Sequence, residues 1–197
     1  MTSGMKMETN TGGGLLKGLG RTLSGDTLFL NFFTTEQDNQ EIGFSARSPG
    51  KIMAVKLNGS NTIIGQKNAF LAAENSVDLD IYFKKSLGAG LFGGEGFILQ
   101  KFTGTGIVFL EIDGEVIEYD LQPGEKLLLD PGHIAAMEES VHFDVERVKG
   151  AKNILFGEGL FFAKVQGLGK IWIQTIPISR LAKAIIPYIP QNNNSDF

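Results

Sequence analysis

The stretches GEGFILQKFTGTG (94–106) and GEGLFFAKVQGLG (157–169) are one pattern written twice, 63 residues apart. Gly94, Glu95, Gly96, Lys101, Gly104 and Gly106 fall on Gly157, Glu158, Gly159, Lys164, Gly167 and Gly169. The match runs on through IVFLEI (107–112) and KIWIQT (170–175). At nearly the same spacing, GKIMAVKLNG (50–59) resembles GEVIEYDLQP (114–123), and LAAENSVDLDI (71–81) resembles AAMEESVHFDV (135–145). A weaker third copy, GLGRTLSGDTLFLNFF, starts at Gly18. Self-similarity at a fixed period means that one supersecondary unit is used several times. The expected divisions are a first unit over 1–88, a second over 89–150, and a shorter third over 151–197 that ends in a helix and a tail.

The units are β in pattern. VDLDIYF, VHFDVERV, KIMAVKL and EVIEYDL alternate apolar and polar residues, the period of half-buried strands. Turn residues separate them: Asn58-Gly59, Asp113-Gly114, Gln122-Pro123-Gly124 and Asp130-Pro131-Gly132. GFILQKF and GLFFAKV are more continuously apolar, as strands covered on both faces are. The expected architecture is all-β, a sandwich or barrel-like arrangement, with one short helix at the end. Ser179 is placed to cap RLAKAII, Pro187 to stop it, and the helix is expected to pack on its own β core.

That pattern decides what the glycines are for. In a phosphate loop they precede a helix whose N-terminus binds the anion, and Lys then Ser or Thr follows the last Gly. Here GTG leads into the strand IVFLEI and GLG into KIWIQT, and Ile107 follows Gly106. The glycines therefore mark tight turns, bulges or close backbone approach.

Bulk chemistry excludes several functions. The chain has 197 residues and no cysteine, which rules out disulfides, thiolate catalysis and cysteine-based zinc sites. A net charge of −4 argues against a surface that neutralises nucleic-acid phosphates, and Lys84-Lys85 is the only adjacent basic pair. No apolar run reaches the eighteen or so residues of a membrane span. The opening MTSGMKMETNTGGG has neither a signal-peptide core nor an Arg-rich transit pattern, so a cytoplasmic location is expected.

Taken together, GGGLLKGLGRTLSG, PGKIMAVKL, GEGLFFAKVQGLGKIWIQT and the long block from Gly93 to Val145 resemble the altered-inheritance-of-mitochondria family. This widespread bacterial and fungal group is placed by fold with the tryptophan RNA-binding attenuation (TRAP-like) proteins. The resemblance implies short double-stranded β-helix units, three in number, in a pseudo-threefold arrangement. It also implies a link to mitochondrial membrane organisation in fungi, and RNA binding by analogy, while the repeated β surfaces lead us to expect a homo-oligomer. The acidic balance opposes the RNA analogy. Family members carry further strands before the GMKMET block, so the first unit is expected to be incomplete and to leave a strand edge that invites association.

Candidate sites follow from the same patterns. Glu95, Lys101, Glu158 and Lys164 recur between units. Each pair either serves the fold or forms equivalent inter-unit binding sites for a small molecule or peptide. The histidines His133 and His142, with Glu138, are the set a metal-dependent enzyme of cupin-like architecture would use, although the His-x-His of cupins is absent. His142 is expected to face solvent with Asp144 and Glu146. Carboxylate pairs at Asp78/Asp80, Glu111/Asp113 and Glu138/Glu139 are expected on solvated faces. No catalytic residue and no cofactor is assigned. The expected role is a non-enzymatic assembly or binding protein, with a protein partner besides its own copies.

Overall fold

The computed structural model describes residues 1–10, 30–85, 96–147 and 161–190. The chain is predominantly β, with one short C-terminal helix and a large sheet curled as a half-barrel. A hairpin of β1 (Met5–Asn10) and β2 (Leu30–Thr35) stands as its own sheet. The weaker third copy of the repeat falls largely on residues 11–29, outside the described residues. After the hairpin come β3 (Gly50–Asn58), β4 (Ile63–Gln66), β5 (Phe70–Ala73), β6 (Val77–Lys85) and the 17-residue β7 (Phe97–Asp113). They are followed by β8 (Val116–Leu121), β9 (Lys126–Leu129), β10 (Ile134–Glu138), β11 (His142–Arg147), β12 (Phe161–Gln166) and β13 (Gly169–Gln174). Short 3-10 turns over Lys67–Ala69 and Pro131–His133 lead into β5 and β10.

β7 organises the first half of this arrangement. Its N-terminal half pairs with β4 and β6, its C-terminal half with β3 and β5, all antiparallel. Sheet neighbours on both edges and packing on both faces account for its continuous apolar run, and Phe97 to Gln100 are all buried. GTG lies within this unbroken strand, and no helix follows it.

The second half repeats these pairings. Leu57 opposite Gly106 (β3·β7) corresponds to Leu121 opposite Gly169 (β8·β13). Ile64 opposite Lys101 (β4·β7) corresponds to Leu128 opposite Lys164 (β9·β12). Asp80 opposite Lys101 corresponds to Asp144 opposite Lys164 (β11·β12). Phe70 opposite Leu110 corresponds to Ile134 opposite Ile173 (β10·β13), and in both places the register slips by one before the next alanine, Ala72 or Ala136. Matching irregularities are harder to produce by chance than matching strands, because a slip turns every later side chain to the other face.

One ladder joins the halves. β4 pairs with β10, Ala136 opposite Gly65, Met137 opposite Ile64 and Glu138 opposite Ile63. The two hydrophobic clusters also cross the join. Ile64, Phe97 and Leu99 pack with Leu121, Val141 and Val165, while Ala135, Ala136 and Trp172 pack with Leu57, Phe102 and Leu110. Phe143 stacks on Phe97 with ring centroids 5.7 Å apart and meets Phe83 edge-on at 5.1 Å. Such ring pairs add about 0.5–1.5 kcal/mol beyond the area they bury.

The C-terminal helix departs from expectation twice. α1 (Ile178–Ile185) begins after Pro177 at the N-cap position, so Ser179 lies inside the helix and caps nothing. The first helical N–H, that of Ile178, donates instead to Asp113 Oδ2 at 2.7 Å. Nor does the helix pack on the β core: none of its residues is buried, and Ile185, Ile186 and Tyr188 are exposed. Eight residues with one side-chain cap borrowed from a β turn give little leverage to bury an apolar stripe.

Candidate functional site

Where the polar residues lie follows from the recurring frame. Lys101 and Lys164 hold equivalent places, each opposite an aspartate on the neighbouring strand, yet their ion pairs differ. Lys101 Nζ reaches across the join to Glu139 at 2.5 Å, whereas Lys164 Nζ stays within its own half, 3.3 Å from Glu146. Glu95 and Glu158 lie outside the described residues. The Lys101 contact holds the Glu139 carboxyl below the ordinary range, its hydrogen bond being the main cause. A carboxyl depressed in the folded chain stabilises it above the ordinary glutamate value of about 4.3, and that stabilisation is lost as pH falls through the folded value. Lys101→Met should therefore return the Glu139 ionisation toward the ordinary value, followed by carboxyl-carbon NMR in acid titration. A Glu139 value that stays low would refute the assignment.

The metal set does not assemble. Among the described residues no group of three His, Asp or Glu side chains is placed to hold an ion. His133 sits in the 3-10 turn with Nδ1 2.8 Å from the Gln174 carbonyl oxygen, an acceptor that requires the proton on Nδ1. His142 lies exposed on β11, alternating with buried Phe143 and Val145 as the pattern predicts. Glu138 serves the backbone: its Oε2 accepts from the Lys170 N–H at 3.0 Å, beside Gly169, where a Cβ would sit 3.0 Å from that oxygen and 2.4 Å from Ser140 Oγ. Glu74 and Ser76 crowd Gly106 in the same way. The Glu-x-Ser recurrence is thus a lock on a turn.

The densest polar constellation is one that sequence reasoning misplaced. Glu111, expected on a solvated face, is 4% exposed. It accepts from the Arg47 backbone N–H at 2.7 Å and pairs with the Arg47 guanidinium, which also donates to the Asn68 carbonyl in the first 3-10 turn. Gln174 is its counterpart. It is also 4% exposed, accepts from the Asp113 N–H at 3.1 Å, and donates to Gln66 Oε1 at 3.2 Å and to the Gly132 carbonyl in the second 3-10 turn at 2.7 Å. Gln174 therefore ties the end of β7 to the second 3-10 turn directly, and Glu111 is linked to the first through Arg47. The signal was present in the repeat, since aligning IVFLEI with KIWIQT sets Glu111 on Gln174, a polar residue among apolar ones in both copies. Gln66, Gln174 and Asn68 are neutral, and the one buried carboxylate is ion-paired. The arrangement can hold two ends of a sheet together.

Two further polar side chains stand out. Glu118 accepts from Trp172 Nε1 at 2.9 Å and from Lys170, which together hold its carboxyl low, Lys170 most strongly, and it raises the Lys170 ammonium in turn. Gln100 is 2% exposed and its Oε1 has no hydrogen-bond partner among the described residues, an acceptor that costs about 1–3 kcal/mol if left dry. No helix among the described residues is long and apolar enough to cross a membrane.

Residues 1–176 match the family described as Mitochondrial biogenesis AIM24. An uncharacterized protein of Streptococcus pyogenes serotype M6 is 26% identical over 185 residues, which span 92% of this chain and 73% of that protein. The X-ray structure of another Streptococcus pyogenes protein superposes with a TM-score of 0.70 at 22% identity, over 95% of this chain and 84% of that one. At that identity the likeness concerns the fold.

Proposed function

This chain belongs to the Mitochondrial biogenesis AIM24 family, and on that footing we propose that it is a non-enzymatic assembly or binding protein, built from recurring β units and working as an oligomer. The observation that carries this is the recurrence of strand pairings, slips included, between residues 50–113 and 114–174. We take these as two copies of the family's short double-stranded β-helix unit, in place of the divisions expected after residues 88 and 150. The β1–β2 hairpin is what is described of a further, TRAP-like unit. Repeated units present the same contact surface more than once, which suits a protein whose work is holding others. Some polar residues support this role, because Glu111 and Gln174 are used in holding turns and Lys101, Lys164 and Lys170 in ion pairs.

A second role, capture of a small molecule or peptide, draws on the unpartnered Gln100 oxygen, which a ligand N–H would satisfy. Native mass spectrometry of the untagged protein separates the two. The assembly role predicts masses at whole multiples of the 21.4 kDa chain at micromolar concentration. A monomer carrying a defined extra mass would replace it with the capture role.

A further inference from the structure

We propose that copies of this chain join edge to edge, β5 of one copy pairing antiparallel with β9 of the next in the register that β10 and β4 adopt inside the chain. This deepens the assembly role and rests on it, since it names the surface through which the oligomer forms.

Strand equivalence carries the argument. By the registers above, β9 occupies in the second unit the place of β4 in the first, and β5 occupies in the first the place of β10 in the second. Internally these two kinds of edge meet once, as β4·β10. Their counterparts are left over: among the described residues β9 pairs only with β12 and β5 only with β7. Each chain therefore holds both halves of a contact whose complementarity it demonstrates itself.

Burial shows the same thing residue by residue. β4 is buried throughout, and so are the first four residues of β10. The uncovered counterparts are not, since β9 alternates exposed and half-buried residues and β5 is half-buried along its length. Ile64 is 0% exposed, while Leu128 at the equivalent place is 63% exposed. Ile64 has a neighbouring strand there, β10, and Leu128 has none among the described residues. β9 is short, but it is KLLL, with one charged residue at its start and no proline, so charge and proline do not blunt the edge within the strand. A contact of this kind uses different surfaces on the two copies and so propagates head to tail, giving a ring if the rotation closes.

Transferring the internal ladder predicts the new one: Ala72 opposite Leu129, Ala73 opposite Leu128 and Glu74 opposite Leu127. The chain has no cysteine, so the register can be tested by cross-linking. Directly opposed residues bring their Cα atoms to about 4.5–5.5 Å, within disulfide reach. The variant Ala73→Cys with Leu128→Cys, oxidised mildly, should run on a non-reducing gel as bands at multiples of the chain mass and collapse to one band on reduction. The pair Ala73→Cys with Leu127→Cys should not link, because a one-residue shift turns the side chain to the other face. A link closed within single chains would overturn the proposal in favour of a sheet that shuts on itself. An oligomer that forms no link would overturn this interface and leave the assembly role standing, whereas a wild-type monomer would remove both. Should the double variant fold poorly, Leu128→Lys gives an independent answer. Its site is exposed in the single chain, so the fold should persist while native mass spectrometry shows a shift to monomer, and an intact oligomer would sink the proposal.

Discussion

Gly104→Ala should destabilise the protein by at least about 3 kcal/mol, the sum of a strained backbone and a backbone clash. Gly104 has φ +98°, a conformation L side chains rarely adopt, and a Cβ there would lie 2.3 Å from the Ser76 carbonyl oxygen. Neither obstacle can yield cheaply. Ser76 O accepts from the Thr105 N–H at 3.3 Å, and Gly104 O accepts from the Gly59 N–H at 2.9 Å, so the residue clips two turns against β7 at once. Urea unfolding followed by circular dichroism measures the effect. Two other glycines calibrate it. Gly124 has φ +80° but open space around its Cβ position, so Gly124→Ala should cost only the strain, about 1 kcal/mol. Gly43 has neither obstacle, and Gly43→Ala should change stability by less than about 1 kcal/mol. If all three variants behaved alike, the close approach of β7 to the 74–77 turn would be wrong.

Arg47→Ala should cost about 2 kcal/mol, because it leaves the Glu111 carboxylate buried with little besides one backbone donor. The figure sits below the loss expected for a fully buried pair, since the Arg47 side chain is 64% exposed and solvent already screens it. The repeat itself suggests the remedy. Gln174 fills the equivalent place without a charge, so Arg47→Ala combined with Glu111→Gln should recover most of the loss. In a double-mutant cycle, urea midpoints would show strong coupling between the two positions. Additive effects would mean that the carboxylate does not depend on the guanidinium.

Much of this architecture was legible beforehand, and the reason is local. Strand alternation is written every second residue, so the exposed His142, Asp144 and Glu146 between buried Phe143 and Val145 could be placed without a structure. Turns at Asn58-Gly59 and Asp113-Gly114 were legible because positive φ has a chemical signature, and both glycines carry it. Ranking the glycine pattern below a phosphate cradle's requirements also needed only the next few residues. Glu111 failed for the opposite reason. A carboxylate near a turn resembles a solvated one until its partner is known, and Arg47 lies 64 residues away. The helix failed similarly, since an amphipathic stripe states that something should cover it without saying that the chain's own core does.

Two stretches that resemble one another, a predominantly β pattern, the placing of several turns and the family resemblance can all be read from the residues alone. Which edges meet cannot be read there and emerges with the folded chain. IIGQ in β4 and LLLD at the equivalent residues 127–130 carry much the same local pattern, yet β4 is buried and paired with β10, while β9 has no strand on that edge among the described residues. The period of a strand encodes which face turns inward. The neighbour along its edge is chosen by backbone groups that every residue shares, so that choice is made only when the rest of the chain is in place.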